Sequence, residues 1–307
     1  MTEQTATPRC AIDTGVCVLP GSSQTPSKPA ATSASGPAAS KSTASTRIIY
    51  ITDPICSACW VIEPAWRSVL ARYGDEIVVE HVMGGLLPNW TVTSDPTHGI
   101  FGPSDLPHHW AQFGELTGQT LDPSVWHRDP VQSSYPACIA VAGVRLLAPE
   151  REHAYLRRLR ELLFVEATNI GRPEVLQAAA TEVGVSASAL ARVIADGRAA
   201  VEFAADLDRT RRLGVRGFPT LIIEGPYGRQ VLRGVIDTSR LESAVLAASG
   251  LPARPFLSIP EALTALGRGS TAEYAAAFGT SLVATQASLT AAGVPSRQAG
   301  TGLMWSR

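Results

Sequence analysis

Two cysteines two residues apart, Cys56 and Cys59, stand where a β-branched and aromatic run gives way to a helix-forming one: residues 48–60 read IIYITDPICSACW. A strand that stops at an Asp-Pro break and hands a CxxC to the first turn of a helix favours thiol chemistry. The unpaired N–H groups and the positive dipole end of a helix stabilise a thiolate placed there. Cys56 is therefore expected to be the exposed, low-pKa thiol. Cys59, one turn further in, is expected to be shielded and close enough to form a disulfide with it.

Half of a zinc site has the same spacing and needs a second ligand pair elsewhere. The other candidates are poorly placed. Cys10 and Cys17 lie in a low-complexity tail, Cys138 stands alone, and His108 and His109 are adjacent, so they cannot point the same way from one helix or strand. No metal and no cofactor is expected. A second stretch, residues 214–223, GVRGFPTLII, places Pro219 inside an otherwise strand-like run. A proline there belongs at a bend or in a cis bond, because it cannot donate to the ladder.

Taken together, the CxxC, Pro64 five residues past its second cysteine, and Phe218-Pro219-Thr220 resemble the thioredoxin superfamily. In that superfamily a cis-proline loop faces the CxxC and pairs its backbone with the substrate peptide. The resemblance implies catalytic roles for Cys56, Cys59 and Pro219, and substrate contacts from Phe218 and Thr220. The long helical stretch between the two motifs makes the organisation similar to that of the DsbA family. Trp126, Asp129-Pro130 and residues 133–137, SSYPA, also resemble that family's pattern near the active-site groove. Tyr135 and Trp60 are the further substrate contacts implied, although such aromatics also fill a domain seam. Cys138 reads as a buried thiol on the same helix. Ser57 and Ala58 carry no charge, so the pair is expected to be a milder oxidant than DsbA, whose thiol pKa is strongly lowered.

Within that family, residues 53–60, DPICSACW, with Glu63-Pro64 following and His81 ahead of Gly84-Gly85, resemble a cytoplasmic branch that includes the SpxH (YjbH) adaptors. Those proteins present a transcription regulator to the ClpXP protease, and their usual motif differs at Ser57-Ala58. Two functions are therefore carried forward. One is a thiol-disulfide oxidoreductase; the other is an adaptor that docks a protein on the same fold. Either holds a protein substrate or regulator in the groove between the CxxC and the proline loop.

The elements that must position these residues read as an α/β fold, a thioredoxin-like core with an inserted all-helical domain. The chain has 307 residues, 45% hydrophobic and 17% charged, enough to bury a substantial core. Residues 1–46, rich in Ser, Thr, Ala and Pro, are expected to be a disordered tail. Within that tail, residues 10–17, CAIDTGVC, are either a second redox pair brought together by the Asp-Thr-Gly turn or two spectator thiols. The core's first part spans 47–88: a strand at 47–52, a helix at 57–73 with Val61, Trp66, Val69 and Leu70 on its buried face, and a strand at 77–83. The helical domain spans 89–212, with helices near 105–118, 134–148, 150–167, 173–184, 187–196 and 198–213. Core residues 213–250 close with a strand at 230–236 and a helix at 238–249. Residues 251–307 read as a linker and a small helical appendage, with helices near 260–267, 271–277 and 279–292.

A formal net charge of -1 gives no electrostatic pull toward nucleic acid or an anionic membrane. No stretch reaches the roughly 20 apolar residues of a membrane span. No basic region followed by an apolar core marks the N-terminus, so a cytoplasmic location is expected, where the thiols rest mostly reduced.

Overall fold

Strand β3, Thr46–Thr52, is the middle of the molecule because its side chains are apolar on both faces. Ile48 and Tyr50 enter one hydrophobic cluster while Ile49 and Ile51 enter the other. A strand that alternates between two buried faces must lie inside a sheet covered on both sides. The computed structural model describes residues 9–11, 16–18, 46–94 and 100–306.

The central sheet has four strands, with β3 an inner one. Strand β4, Ile77–Met83, pairs parallel with β3 from Thr46↔Ile77 to Thr52↔Met83. Parallel neighbours need a crossover, which is supplied by α1, Ser57–Val61, and α2, Glu63–Tyr73. The helix expected at 57–73 is split at Ile62 because Pro64 lacks an N–H for the i−4 carbonyl. Gly74, at φ 57°, ends α2. Strand β6, Thr220–Gly225, runs antiparallel to β3, with Ile51 opposite Thr220, and β7, Gly228–Arg233, completes the sheet.

One face of the sheet is covered by α2 and α10, Thr238–Ser249, which bring Trp66, Val69, Leu241 and Val245 against Ile48 and Tyr50. Against the other face lie the helices between β4 and β6. They are α3, Leu106–Thr117; α4, Val125–Arg128; α5, Tyr135–Leu147; α6, Glu152–Phe164; α7, Pro173–Glu182; α8, Ala187–Ala195; and α9, Arg198–Arg212. This is a thioredoxin-like α/β core with helices between its two parts. Among the described residues no helix is long and apolar enough to cross a membrane.

The C-terminal helices α11, Ile259–Leu266, α12, Thr271–Phe278, and α13, Leu282–Ala291, follow the expected pattern. The appendage is not purely helical, however. Strands β8, Gly269–Ser270, β9, Ser296–Ala299, and β10, Gly302–Trp305, form a small sheet in the order β8-β10-β9. Such two- to four-residue strands are too short for alternation to show in sequence. The tail also departs from expectation. Strand β1, Arg9–Ala11, pairs with β2, Val16–Val18, and β2 pairs with β5, Gly217–Phe218, in a separate three-stranded sheet. The rest of the tail that was expected to be disordered lies outside the described residues.

The appendage is anchored on the core by buried charge. Glu273 of α12 is fully buried and accepts from both terminal nitrogens of Arg157, at 2.7 and 3.0 Å, and from Arg67 at 2.5 Å. Arg157 also reaches Glu63 at 3.2 Å and Glu161 at 2.9 Å. Helices α2, α6 and α12 are thus tied through one set of ion pairs.

The pH dependence of stability follows from that set. Burial opposes the Glu273 carboxylate, but the charges of Arg157 and Arg67 outweigh it and hold its pKa at about 2, below its ordinary 4.5. A depressed carboxyl contributes stability above its unfolded pKa and loses it as pH falls toward the folded one. A drop of that size is worth on the order of 3 kcal/mol. Glu273→Gln should lower the urea midpoint at pH 7, and the gap from wild type should close between pH 4.5 and 2.

Candidate active site at the end of the central strand

Asp53 builds the turn from which the dithiol hangs. Its carboxylate accepts from the Ile55 amide at 3.0 Å, the Leu86 amide at 2.7 Å, the Ser134 hydroxyl at 2.9 Å and the Cys138 thiol at 3.4 Å. One buried side chain thereby ties the β3–α1 turn to the loop after β4 and to the start of α5. Burial still holds its carboxyl pKa above the ordinary value despite these donors. The Cys56 amide donates to the Asp53 carbonyl at 3.2 Å, which starts the helical turn.

Cys56 is the N-cap of α1, with φ −72° and ψ 110°, and its sulfur accepts from the Cys59 amide at 3.1 Å. Both cysteines are reduced and fully buried. The expectation of an exposed Cys56 is therefore corrected, and so is the expected order of acidities. Burial is the largest influence on Cys56 and pushes its pKa well up, and its hydrogen bond to Cys59 and the neighbouring charges of Cys59 and Asp53 add to the rise. Burial also opposes a thiolate at Cys59. There the hydrogen bond from Cys56, the charge of Arg160 and the Thr52 hydroxyl outweigh it, so its pKa falls below the ordinary value. In this reduced pair the surroundings disfavour a thiolate at Cys56 and favour one at Cys59.

The physical reason is a contest that the CxxC spacing cannot register. Helix α1 has five residues, so its end offers little field, whereas Arg160 brings a full charge. Arg160 is buried on α6, bonded to Glu63 at 2.5 Å and to the Thr52 hydroxyl, with its guanidinium 5.6 Å over the Tyr50 ring. Neither Arg160 nor the role of Asp53 was identified from sequence. Asp53 read only as a turn residue, and Arg160 is about a hundred positions from the cysteines.

The Phe218-Pro219 peptide bond is cis. Because Thr220 pairs with Ile51, this loop lies at the same end of the sheet where β3 leads to the CxxC. Phe218 is fully buried against Gly84, where an added Cβ would lie 1.9 Å from the Phe218 ring. Thr220 is buried too, its hydroxyl donating to the Gly217 carbonyl at 2.8 Å. Trp60 is a core residue rather than a substrate contact. Its indole donates to the Thr120 carbonyl at 2.8 Å, stacks on Phe164 at 5.4 Å and lies under Arg157. Tyr135 is half-buried at the start of α5, edge-to-face with Phe203 at 5.1 Å. The structure brings Cys56, Cys59 and the Pro219 loop to one sheet end. It also places Cys10 directly opposite Cys17 across β1 and β2, with Cys17 opposite Phe218.

The charges around the thiols make a spectroscopic prediction. Arg160→Gln should move the thiolate absorbance near 240 nm to higher pH, because an opposite charge favouring Cys59 is lost. Asp53→Asn should move thiolate formation at Cys56 the other way. Identical titrations in all three proteins would overturn the assignment of these charges.

Comparison with known proteins fits this geometry. The thioredoxin family model matches residues 49–228, more than half of the chain. The ClpXP adapter protein SpxH of Halalkalibacterium halodurans is 28% identical over 170 residues, covering 55% of this chain and 56% of that protein. The protein of the same name from Shouchella clausii is 26% identical over 177 residues, covering 55% of each. The chain thus spans about half the length of these curated relatives. Among solved structures, a putative protein disulfide isomerase from Nitrosomonas europaea superposes with a TM-score of 0.55 at 22% identity, covering 66% of this chain and 96% of that one. A probable DsbA oxidoreductase from Streptomyces coelicolor gives 0.54 at 19% identity, covering 70% and 93%. At these identities the structures speak to fold alone.

Proposed function

Because this chain belongs to the thioredoxin family, we propose that it is a DsbA-like thiol-disulfide oxidoreductase working through Cys56 and Cys59 on protein substrates. The observation that carries the reading is the 3.1 Å bond from the Cys59 amide to the Cys56 sulfur at the first turn of α1, beside the cis-Pro219 loop. A sulfur held by an amide at a helix start, one turn from a second thiol, is arranged to exchange disulfides.

As Cys56 attacks a substrate disulfide, it gives up its proton to solvent. A Cys56–substrate disulfide forms and the first substrate sulfur leaves as a thiolate. Cys59 then gives its proton to that leaving group, with Arg160 favouring the thiolate, and attacks the Cys56 sulfur. The Cys56–Cys59 disulfide closes and the second substrate sulfur leaves as a thiolate that takes up a proton from solvent. No cofactor takes part, and the reaction suits a reducing compartment such as the cytoplasm. The Pro219 loop would hold the substrate backbone, with Phe218 contributing main chain rather than its buried ring. Tyr135, being half-buried, is the one predicted aromatic with surface to offer.

A second reading, an adaptor that presents a regulator to a ClpXP-type protease, is favoured by the relatives named ClpXP adapter protein and by the complete burial of both sulfurs. An adaptor needs surface rather than sulfur.

Two measurements separate the readings. Cys59→Ser should abolish insulin disulfide turnover and accumulate covalent complexes on Cys56, because only an outside thiol could then release them. If wild type turns over no disulfide, while the Cys56→Ser, Cys59→Ser double variant binds a partner as tightly as wild type, the adaptor reading replaces the enzyme. The reduction potential should be more negative than the roughly -120 mV of DsbA, since burial and the neighbouring charges of Cys59 and Asp53 disfavour a thiolate at Cys56. Equilibration with a glutathione buffer measures it.

A further inference from the structure

The strand that leads into the Pro219 loop already has a ladder partner, and it comes from the tail. β5 is two residues long and lies outside the central sheet; it pairs with β2 through Cys17↔Phe218 and Val18↔Gly217. An extended segment laid antiparallel on a strand edge is how a peptide is held by β-addition. The occupant is no arbitrary peptide, since it carries one cysteine opposite Phe218 and a second directly across its own hairpin. Residues opposed in an antiparallel ladder have Cα atoms about 4.5 to 5.5 Å apart. That falls inside the range of about 4.4 to 6.8 Å over which a disulfide closes without moving the backbone. The register alone therefore permits a Cys10–Cys17 disulfide.

We propose that the N-terminal hairpin is a resident substrate of the CxxC, and that Cys10–Cys17 exchanges its disulfide with Cys56–Cys59 within one chain. The proposal rests on the oxidoreductase reading and names the first substrate of that site. Cys56 attacks the Cys17 sulfur of a Cys10–Cys17 disulfide, a Cys17–Cys56 bond forms, and Cys10 leaves as a thiolate that takes up a proton. Cys59 attacks Cys56, the Cys56–Cys59 disulfide closes, and Cys17 is released as a thiol. Two electrons have passed from the CxxC dithiol to the hairpin. A low-molecular-weight disulfide such as oxidised glutathione regenerates the hairpin disulfide and is itself reduced to two thiols. Cys10 and Cys17 would thus relay oxidising equivalents to the CxxC.

The full-length Cys59→Ser protein tests this, because the exchange then stops at the mixed disulfide. The reduced protein is treated with about 0.1 mM oxidised glutathione, quenched in acid, alkylated and mapped by mass spectrometry without reduction. A tethered thiol at millimolar effective concentration should outcompete free glutathione by roughly tenfold. The expected product is monomer carrying a Cys17–Cys56 link with Cys10 alkylated. Its yield should not change when the protein is diluted tenfold, and it should vanish in Cys17→Ser, Cys59→Ser. Finding Cys56 only as a glutathione adduct or in disulfides between chains would overturn the proposal.

Turnover of insulin by the wild type tells the two failures apart. If insulin is reduced but no Cys17–Cys56 link forms, the hairpin proposal falls and the oxidoreductase reading stands. If neither occurs, both fall.

Discussion

Arg160 is a guanidinium with almost no access to water, and the architecture follows from what such a charge requires. A buried cation left unpaired would cost several kcal/mol, so its partners must be in place whenever the chain is folded. Glu63 supplies one partner from α2 and Thr52 another from the end of β3. Glu63 also meets Arg157, which meets Glu273, so a constraint that begins beside the dithiol runs to the C-terminal appendage. Loosening α12 would therefore be felt at α6 and, through Arg160, at Cys59. Charge placement and stability are the same network seen from two sides.

Asp53 is the counterweight. Its four hydrogen bonds hold the β3–α1 turn, the loop after β4 and α5 in one arrangement, yet its negative charge faces Cys56 and Cys138. Burial and Asp53 keep the Cys138 thiol well above its ordinary pKa, which suits a packing residue on α5. Two opposite charges flank the dithiol, Asp53 on the Cys56 side and Arg160 on the Cys59 side. They polarise the pair against the direction a helix end alone would choose.

The same end of the sheet gathers the CxxC and the Pro219 loop, with β5 leading into that loop. β3 delivers the CxxC, the pairing of Ile51 with Thr220 brings the Pro219 loop beside it, and β5 carries the N-terminal hairpin. The two short sheets at the edges of the core, β1-β2-β5 and β8-β10-β9, are each built from strands of two to four residues. Neither would persist alone, since so few residues bury too little surface to offset their ordering. Each depends on the core it rests on.

Much of this was legible in the amino-acid sequence because it is local. The strands at 47–52 and 77–83, the helix at 238–249 and the helices between β4 and β6 other than the four-residue α4 announce themselves through apolar periodicity bounded by Gly and Pro. The cis-Pro219 loop and the CxxC carry their own residue signatures. The sequence even presented Cys10 and Cys17 as a possible pair, since eight residues centred on Asp-Thr-Gly can turn back on themselves. What only the tertiary structure decided is the environment of those residues. Whether Cys56 is exposed depends on what packs over it, and which thiol holds the charge depends on Arg160, about a hundred residues away. Trp60 looked like a groove residue by its place after the CxxC, but Thr120, Phe164 and Arg157 claim it for the core. Electrostatic fields and burial are sums over the folded neighbourhood, so spacing along the chain cannot report them. Hydrophobic period and turn chemistry act within a few residues, and those the sequence states outright.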